Sequence, residues 1–174
     1  EGGLTDPAAV ALEKRDLATA LRSPQRVRID APKVAGSIDL VGARIDDLTL
    51  KTHRETEKDD SDPVRLFSPS GTPAQHFAQF GWVGEGVRVP DAKTVWPAEG
   101  GPLAPNRPVT LSWNNGSGQV FRIEFAIDEN YLITAKQTVG NAGAGPIVVR
   151  PFATVSRTSA TASLDQWTIH SGPI

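Results

Sequence analysis

From Val27 onward, apolar and polar residues alternate with a period of two, the spacing of strands that bury one face. The clearest run is Gln119 to Ile127, where Phe121, Ile123, Phe125 and Ile127 fall on one side and Arg122 and Glu124 on the other. Tyr131 to Val139 alternates in the same way, and Asp128-Glu129-Asn130 between the two runs suits a hairpin connection. Val109, Leu111 and Trp113 form the inward face of a preceding strand that turns at Asn114-Asn115-Gly116-Ser117-Gly118, where the Asn-Gly pair tolerates positive φ. These three strands predict an antiparallel meander. Further strands are predicted at Val27 to Asp30, Ser37 to Val41, Arg44 to Lys51, Val64 to Phe67, Gln75 to Val83, Ile147 to Arg157 and Gln166 to His170. About ten strands exceed one flat sheet, so the fold class is all-β, with two antiparallel sheets packed as a sandwich.

The exception is the N-terminal stretch. Asp6-Pro7 reads as a helix start, with Asp6 as N-cap and Pro7 in the first turn, and one short helix is expected to end before Ser23-Pro24. Its apolar positions Val10, Leu17 and Leu21 fit a helical face only loosely, so a core helix and a linker that is helical when docked are both open. Within Arg44-Ile45-Asp46-Asp47-Leu48 the alternation is broken, which points to a β-bulge or a strand covered on both faces.

Composition narrows the function. The 174 residues contain 16 Gly and 14 Pro, concentrated in segments such as Ala98 to Pro108 and Gly140 to Pro146 that punctuate the strands. Arg54 to Pro63 is instead a charged loop. Eighteen basic and 20 acidic residues give a net charge of −2, which offers no field to gather nucleic acid or anionic lipid. The absence of Cys excludes disulfides, thiolate metal sites and a Cys nucleophile. No apolar run approaches the roughly 18 to 20 residues of a membrane span, and a chain that starts Glu1-Gly2-Gly3 and contains no Met is expected to be part of something longer.

Catalytic and ligand-binding patterns are sparse. His53, His76 and His170 are over 20 residues apart in every pair and none is paired with a second ligand at metal spacing, and Asp59, Asp60 and Asp62 lack the central Gly and terminal Glu of a Ca²⁺ loop. Gly84-Glu85-Gly86 leads into extended chain at Val87-Arg88-Val89-Pro90, so no helix N-terminus follows to receive a phosphate. Ser68-Pro69-Ser70-Gly71 reads as a turn. No cofactor, metal or catalytic residue is expected. Of the four Trp, Trp82 and Trp113 share a strand phase with core residues, and Trp96, beside Pro97 in a loop, is the candidate for an exposed aromatic.

Several blocks in register resemble one family: Ser23 to Pro32, Gly36-Ser37-Ile38 through Gly42-Ala43-Arg44-Ile45-Asp46-Asp47-Leu48, Leu66 to Gly71, Phe80-Gly81-Trp82-Val83, and the terminal His170-Ser171-Gly172-Pro173-Ile174. Together they are similar to the large periplasmic domain of the YidC/Oxa/Alb membrane protein insertases, α-proteobacterial type. The resemblance implies a β-supersandwich like that of galactose mutarotases, with a boundary between an N-terminal linker and short helix at residues 1–24 and the periplasmic domain at 25–174, its last strands expected to lie beyond the given residues. It implies a place in the periplasm as part of a multi-pass inner-membrane protein of a Gram-negative bacterium. Sec translocon components and nascent membrane proteins are the implied partners, and the isolated piece is expected to be monomeric. Mutarotases use two His and a carboxylate on the sugar ring, and His53, His76 and His170 cannot be placed in those roles, so the expectation is a chaperone-like domain and not an enzyme. The alternative is a non-catalytic carbohydrate- or peptide-binding module on the same fold, motivated by the Trp count.

Overall fold

The computed structural model describes residues 17–58, 60–72 and 74–158, which form one helical turn and ten strands. The helix α1 is Leu17–Leu21, with Ala20 as its buried contact. The rest of the predicted helix, like the strand at Gln166 to His170, lies outside the described residues.

Six strands make the first sheet: β1 (Arg26–Asp30), β2 (Val34–Asp39), β3 (Arg44–Arg54), β4 (Pro63–Phe67), β5 (His76–Gly84) and β10 (Val149–Arg157). Their order is β1-β2-β3-β5-β10, and β4 branches from β3. The branching follows from the length of β3. Its first two residues pair with Gln79 and Ala78 of β5, and the stretch from Leu48 to Arg54 pairs with β4.

The second sheet has the order β6-β7-β8-β9, with β6 at Ala98–Glu99, β7 at Val109–Asn114, β8 at Gln119–Ile127 and β9 at Ile133–Asn141. The antiparallel meander expected from the alternation is present as β7-β8-β9, with Leu111 opposite Ile123 and Phe125 opposite Ala135. β8 follows its sequence pattern residue by residue: Phe121, Ile123, Phe125 and Ile127 are buried, and Arg122, Glu124 and Ala126 between them are exposed. β6 was not expected, because the Gly and Pro around it hide a two-residue pairing with Leu111 and Thr110.

The inner faces of the sheets meet in one core. Ile29, Val34, Ile38, Ile45, Leu48 and Trp82 come from the first, and Val109, Leu111, Phe121, Ile123 and Phe125 from the second. Edge contacts link the layers, Phe80 against Phe125 at 5.4 Å between centroids and Trp82 against Phe121 at 5.3 Å. On one flank the sandwich is closed, because Leu103 bonds to the free edge of β1 around Ile29: its N–H donates to the Arg28 carbonyl and its carbonyl accepts from the Asp30 N–H, each at 2.8 Å. The all-β sandwich read from the sequence is the architecture.

One prediction is reversed. Trp96 is 1% exposed and belongs to the core. Its backbone N–H donates to the Leu40 carbonyl at 2.9 Å, and Val95 bridges to Val41, so the segment before Pro97 docks on the β2–β3 connection and turns the indole inward. There it lies 6.1 Å from Trp82, centroid to centroid. Neighbouring proline marks a loop, but this loop is pinned to the sheet.

Candidate functional site

Two features of the described surface could carry function, an ionic cluster on the outer face of the first sheet and an uncovered flank at β10.

The ionic cluster begins with the bulge in β3. Ser37 pairs with Asp47 and Ile38 with Ile45, so Asp46 is the extra residue, as the broken alternation predicts. The bulge keeps Ile45 and Leu48 in the core, 3% and 7% exposed, while Asp46 and Asp47 leave it on the opposite side. Inward-facing Val27 and Ile29 alternate with Arg26 on β1, which places the Arg26 guanidinium on that same outer face. Arg26 donates through Nη2 to Asp46 and through Nε to the Ser37 hydroxyl at 2.9 Å. Ser37 in turn donates to Asp47 at 2.8 Å, and Arg65 of β4 donates to the other Asp47 oxygen at 2.6 Å. The network stitches β1, β2, β3 and β4 together.

Burial here is deep. The Arg26 and Asp46 side chains are 8% and 2% exposed. Loss of hydration pushes the Asp46 carboxyl up to about 6, even though Arg26 pulls it down, and Asp39 and Asp47 add to the upward push. Beside the pair is a cavity of about 290 Å³ lined by Ala20, Ser23, Gln25, Arg44, Asp39 and Ser70, among others. Arg44 donates to the Ala92 carbonyl at 3.1 Å and lies over the Phe77 ring, while its Nε is buried without a hydrogen-bond partner. Exposed carboxylates behave differently: Lys51 holds Asp30 below the ordinary range, and the Lys93 N–H and Thr94 hydroxyl do the same for Asp91.

The uncovered flank arises from a mismatch between the sheets. Pro151, Ala153 and Val155 of β10 stand opposite Trp82, Phe80 and Ala78 of β5, so they share the inner face of the first sheet. They are nevertheless exposed, Val155 at 68%. The second sheet ends at β9, whose Gln137 amide donates to the Gly81 carbonyl of β5 at 2.8 Å. β10 overhangs that edge, and among the described residues it pairs with β5 alone. On its other face Phe152 packs its ring over Gly81, where any β-carbon would meet the ring at 2.7 Å. Val148 and Val83, 80% and 53% exposed, line a groove of about 560 Å³ together with Val149 and Pro151.

The residues weighed for chemistry are scattered. His53 is an exposed neighbour of Tyr131, His76 packs edge-on against Phe67 at 4.8 Å, and His170 lies outside the described residues. Among the described residues no three His or carboxylate side chains form a metal-holding group. Asp60 and Asp62 belong to the β3–β4 connection, and Asp59 is outside the description. Ser68 exchanges backbone hydrogen bonds with His76, which makes Ser68 to Gly71 the turn the sequence suggests. Trp82 and Trp96 are core and Trp113 packs against it, so no tryptophan platform for a sugar exists among the described residues.

Residues 26–174 match the family described as YidC periplasmic domain. The chain belongs to the YidC periplasmic domain family. Among its relatives are proteins named membrane protein insertase YidC from Nitrobacter hamburgensis, 47% identical over 159 residues, from Zymomonas mobilis, 42% over 154, and from Methylorubrum extorquens, 42% over 171. The alignments cover 89%, 88% and 98% of this chain and 26%, 27% and 28% of those relatives. The chain thus spans about a quarter of the length of the curated relatives it matches. The family places it in the periplasm, and no helix among the described residues is long and apolar enough to cross a membrane. Two of the blocks that carried the resemblance have structural roles in the YidC domain: Gly36 to Leu48 forms the β2–β3 hairpin with its bulge, and Phe80 to Val83 lies in β5, paired with β10, while the terminal block His170 to Ile174 lies outside the described residues.

Proposed function

We infer that the chain is the periplasmic part of an inner-membrane insertase and chaperone that assists insertion and folding of membrane proteins, acting through contacts with Sec translocon components or substrate polypeptide. The observation that carries this reading is the match of residues 26–174 to the YidC periplasmic domain, joined to relatives that bear the insertase name. Residues 1–24 would serve as the tether and 25–174 as the domain proper. Work by surface contact suits a domain whose described residues bring no catalytic group together.

The β10 flank is the face best suited to such contact. It combines a strand at the end of its sheet with exposed Val148, Val155 and Pro151, so an extended segment could add backbone hydrogen bonds and bury apolar side chains together. The test is chemical crosslinking of the full-length protein in membranes. Adducts with Sec subunits or nascent chains are expected, and adducts with neither remove the reading.

A further inference from the structure

We propose that the free edge of β10 selects one kind of segment: an extended, antiparallel strand of client polypeptide that reads acidic-x-apolar-x-apolar and lies against Arg157, Val155 and Ala153. This rests on the reading of the domain as a contact surface for inserting chains, and it states which chains that surface takes.

The backbone fixes which groups are on offer. The Thr158 N–H donates to the Gln75 carbonyl at 3.2 Å, which continues the β10–β5 register by one hydrogen-bonded pair. In an antiparallel ladder such pairs alternate with pairs whose N–H and C=O groups point away from the partner strand. Residues an even number of positions before Thr158 therefore bond to β5, while Pro151, Ala153 and Val155 aim their backbone groups at the free edge. Pro151 fits this assignment, because it has no N–H for the ladder to lose. It also bounds the site: at Pro151 the edge offers a carbonyl alone, whereas Ala153 and Val155 each offer a donor and an acceptor.

The same parity sorts the side chains. Ala153 and Val155 put theirs on the inner face of the sheet, where both are exposed, and residues of an added strand directly opposite share that face. Apolar side chains at those two positions would cover them. The position between lies beside exposed Thr154 on the outer face and suits a polar residue. Charge decides the end of the pattern: β10 carries Arg150 and Arg157 and no acidic residue, so a carboxylate opposite Arg157 is favoured and a Lys or Arg there is opposed. Every strand ladder in both sheets is antiparallel, and an antiparallel partner meets Arg157 with its first residue, Val155 with its third and Ala153 with its fifth. In membrane proteins the excess of Lys and Arg stays in cytoplasmic loops, so chain delivered to the periplasm is poor in the charges that this edge repels.

The test titrates the 174-residue chain into fluorescein-labelled peptides and follows anisotropy. The probe peptide is Thr-Glu-Thr-Val-Thr-Val-Thr, compared with a shuffled peptide, Thr-Val-Val-Thr-Thr-Glu-Thr, and with the probe carrying Lys in place of Glu. The expected result is saturable binding of the probe, with the shuffled peptide weaker by about tenfold and the Lys peptide by about threefold. Val155→Pro removes one donor from the free edge and none from the ladder with β5, and it should weaken the probe by about tenfold, the worth of one hydrogen bond. Should that variant fail to fold, Val155→Asp, which changes only an exposed side chain, is read in its place with the same loss expected. Equal affinity for probe and shuffled peptide, full affinity in the variant, or no binding at all, as when a second copy or the chain's own residues hold the edge, overturns the proposal. Crosslinks from the β10 flank to client chains in membranes would stand in each of those cases, so failure of this inference is distinct from failure of the contact reading beneath it.

Discussion

Gly36 on β2 passes so close to Asp47 on β3 that a β-carbon on Gly36 would collide with the Asp47 backbone carbonyl. The obstacle is main chain, beside the bulge that positions Asp46 and Asp47, so it cannot swing aside as a side chain would. Gly36→Ala is expected to destabilise the domain by at least about 2 kcal/mol, in the range of overpacked cores, and to disturb the Ser37 and Asp47 amide resonances. Unchanged urea denaturation would mean that the two strands are further apart.

Ile45 and Leu48 flank the bulge on the core side. Ile45→Asp or Leu48→Asp buries an unpaired charge and is expected to cost roughly 2 to 4 kcal/mol. Thermal unfolding of each variant checks this, and a transition matching the wild type would place those side chains in solvent.

Much of this was legible in the sequence, and the parts that were not share a cause. The period-two pattern located β8 residue by residue and the broken alternation at Ile45 to Leu48 located the bulge, because both are set by which face of a strand meets the core. Trp96 was misread as exposed because its position depends on a long-range bridge from Val95 to Val41, of which a local proline gives no sign. The Arg26–Asp46 pair lies 20 residues apart on strands that are not neighbours, β1 and β3, so only the sheet order reveals it. Two adjacent acidic residues inside an apolar strand were the available signal. The exposure of Val155 was equally hidden: its alternation promises an inner face, and whether a second sheet covers it is a tertiary fact.

Trp96 fills the core against Trp82. Trp96→Ala should cost about 3 to 5 kcal/mol, the range for deleting a large buried aromatic. Chemical denaturation measures the loss, and a change under about 1 kcal/mol would restore the loop position predicted from its neighbouring proline.

Stability should also depend on pH through Asp46. Its folded carboxyl titrates near 6 and its ordinary value is 3.8, so between those values the folded chain holds a proton that the unfolded chain releases. Stability from this group is full below about pH 4 and is lost as the pH rises through 6. A difference of roughly two pH units at about 1.4 kcal/mol each limits the effect to about 3 kcal/mol. The stability of Asp46→Asn relative to wild type should therefore shift in favour of Asn between pH 4.5 and 8. Denaturation midpoints at the two pH values test this, and a shift of the opposite sign would show that the Arg26 pair outweighs desolvation.

Contact through the β10 flank is tested most directly by a photoreactive amino acid placed at Val155 in the full-length protein, in membranes that are actively inserting substrates. Val155 is 68% exposed, so the substitution should leave the fold intact to within about 0.5 kcal/mol. A probe at exposed Glu57, in the connection between β3 and β4, serves as the comparison. Crosslinks to nascent membrane proteins or Sec subunits that form from Val155 and not from Glu57 are the predicted result. Equal yields from the two positions, or none from Val155, would contradict it.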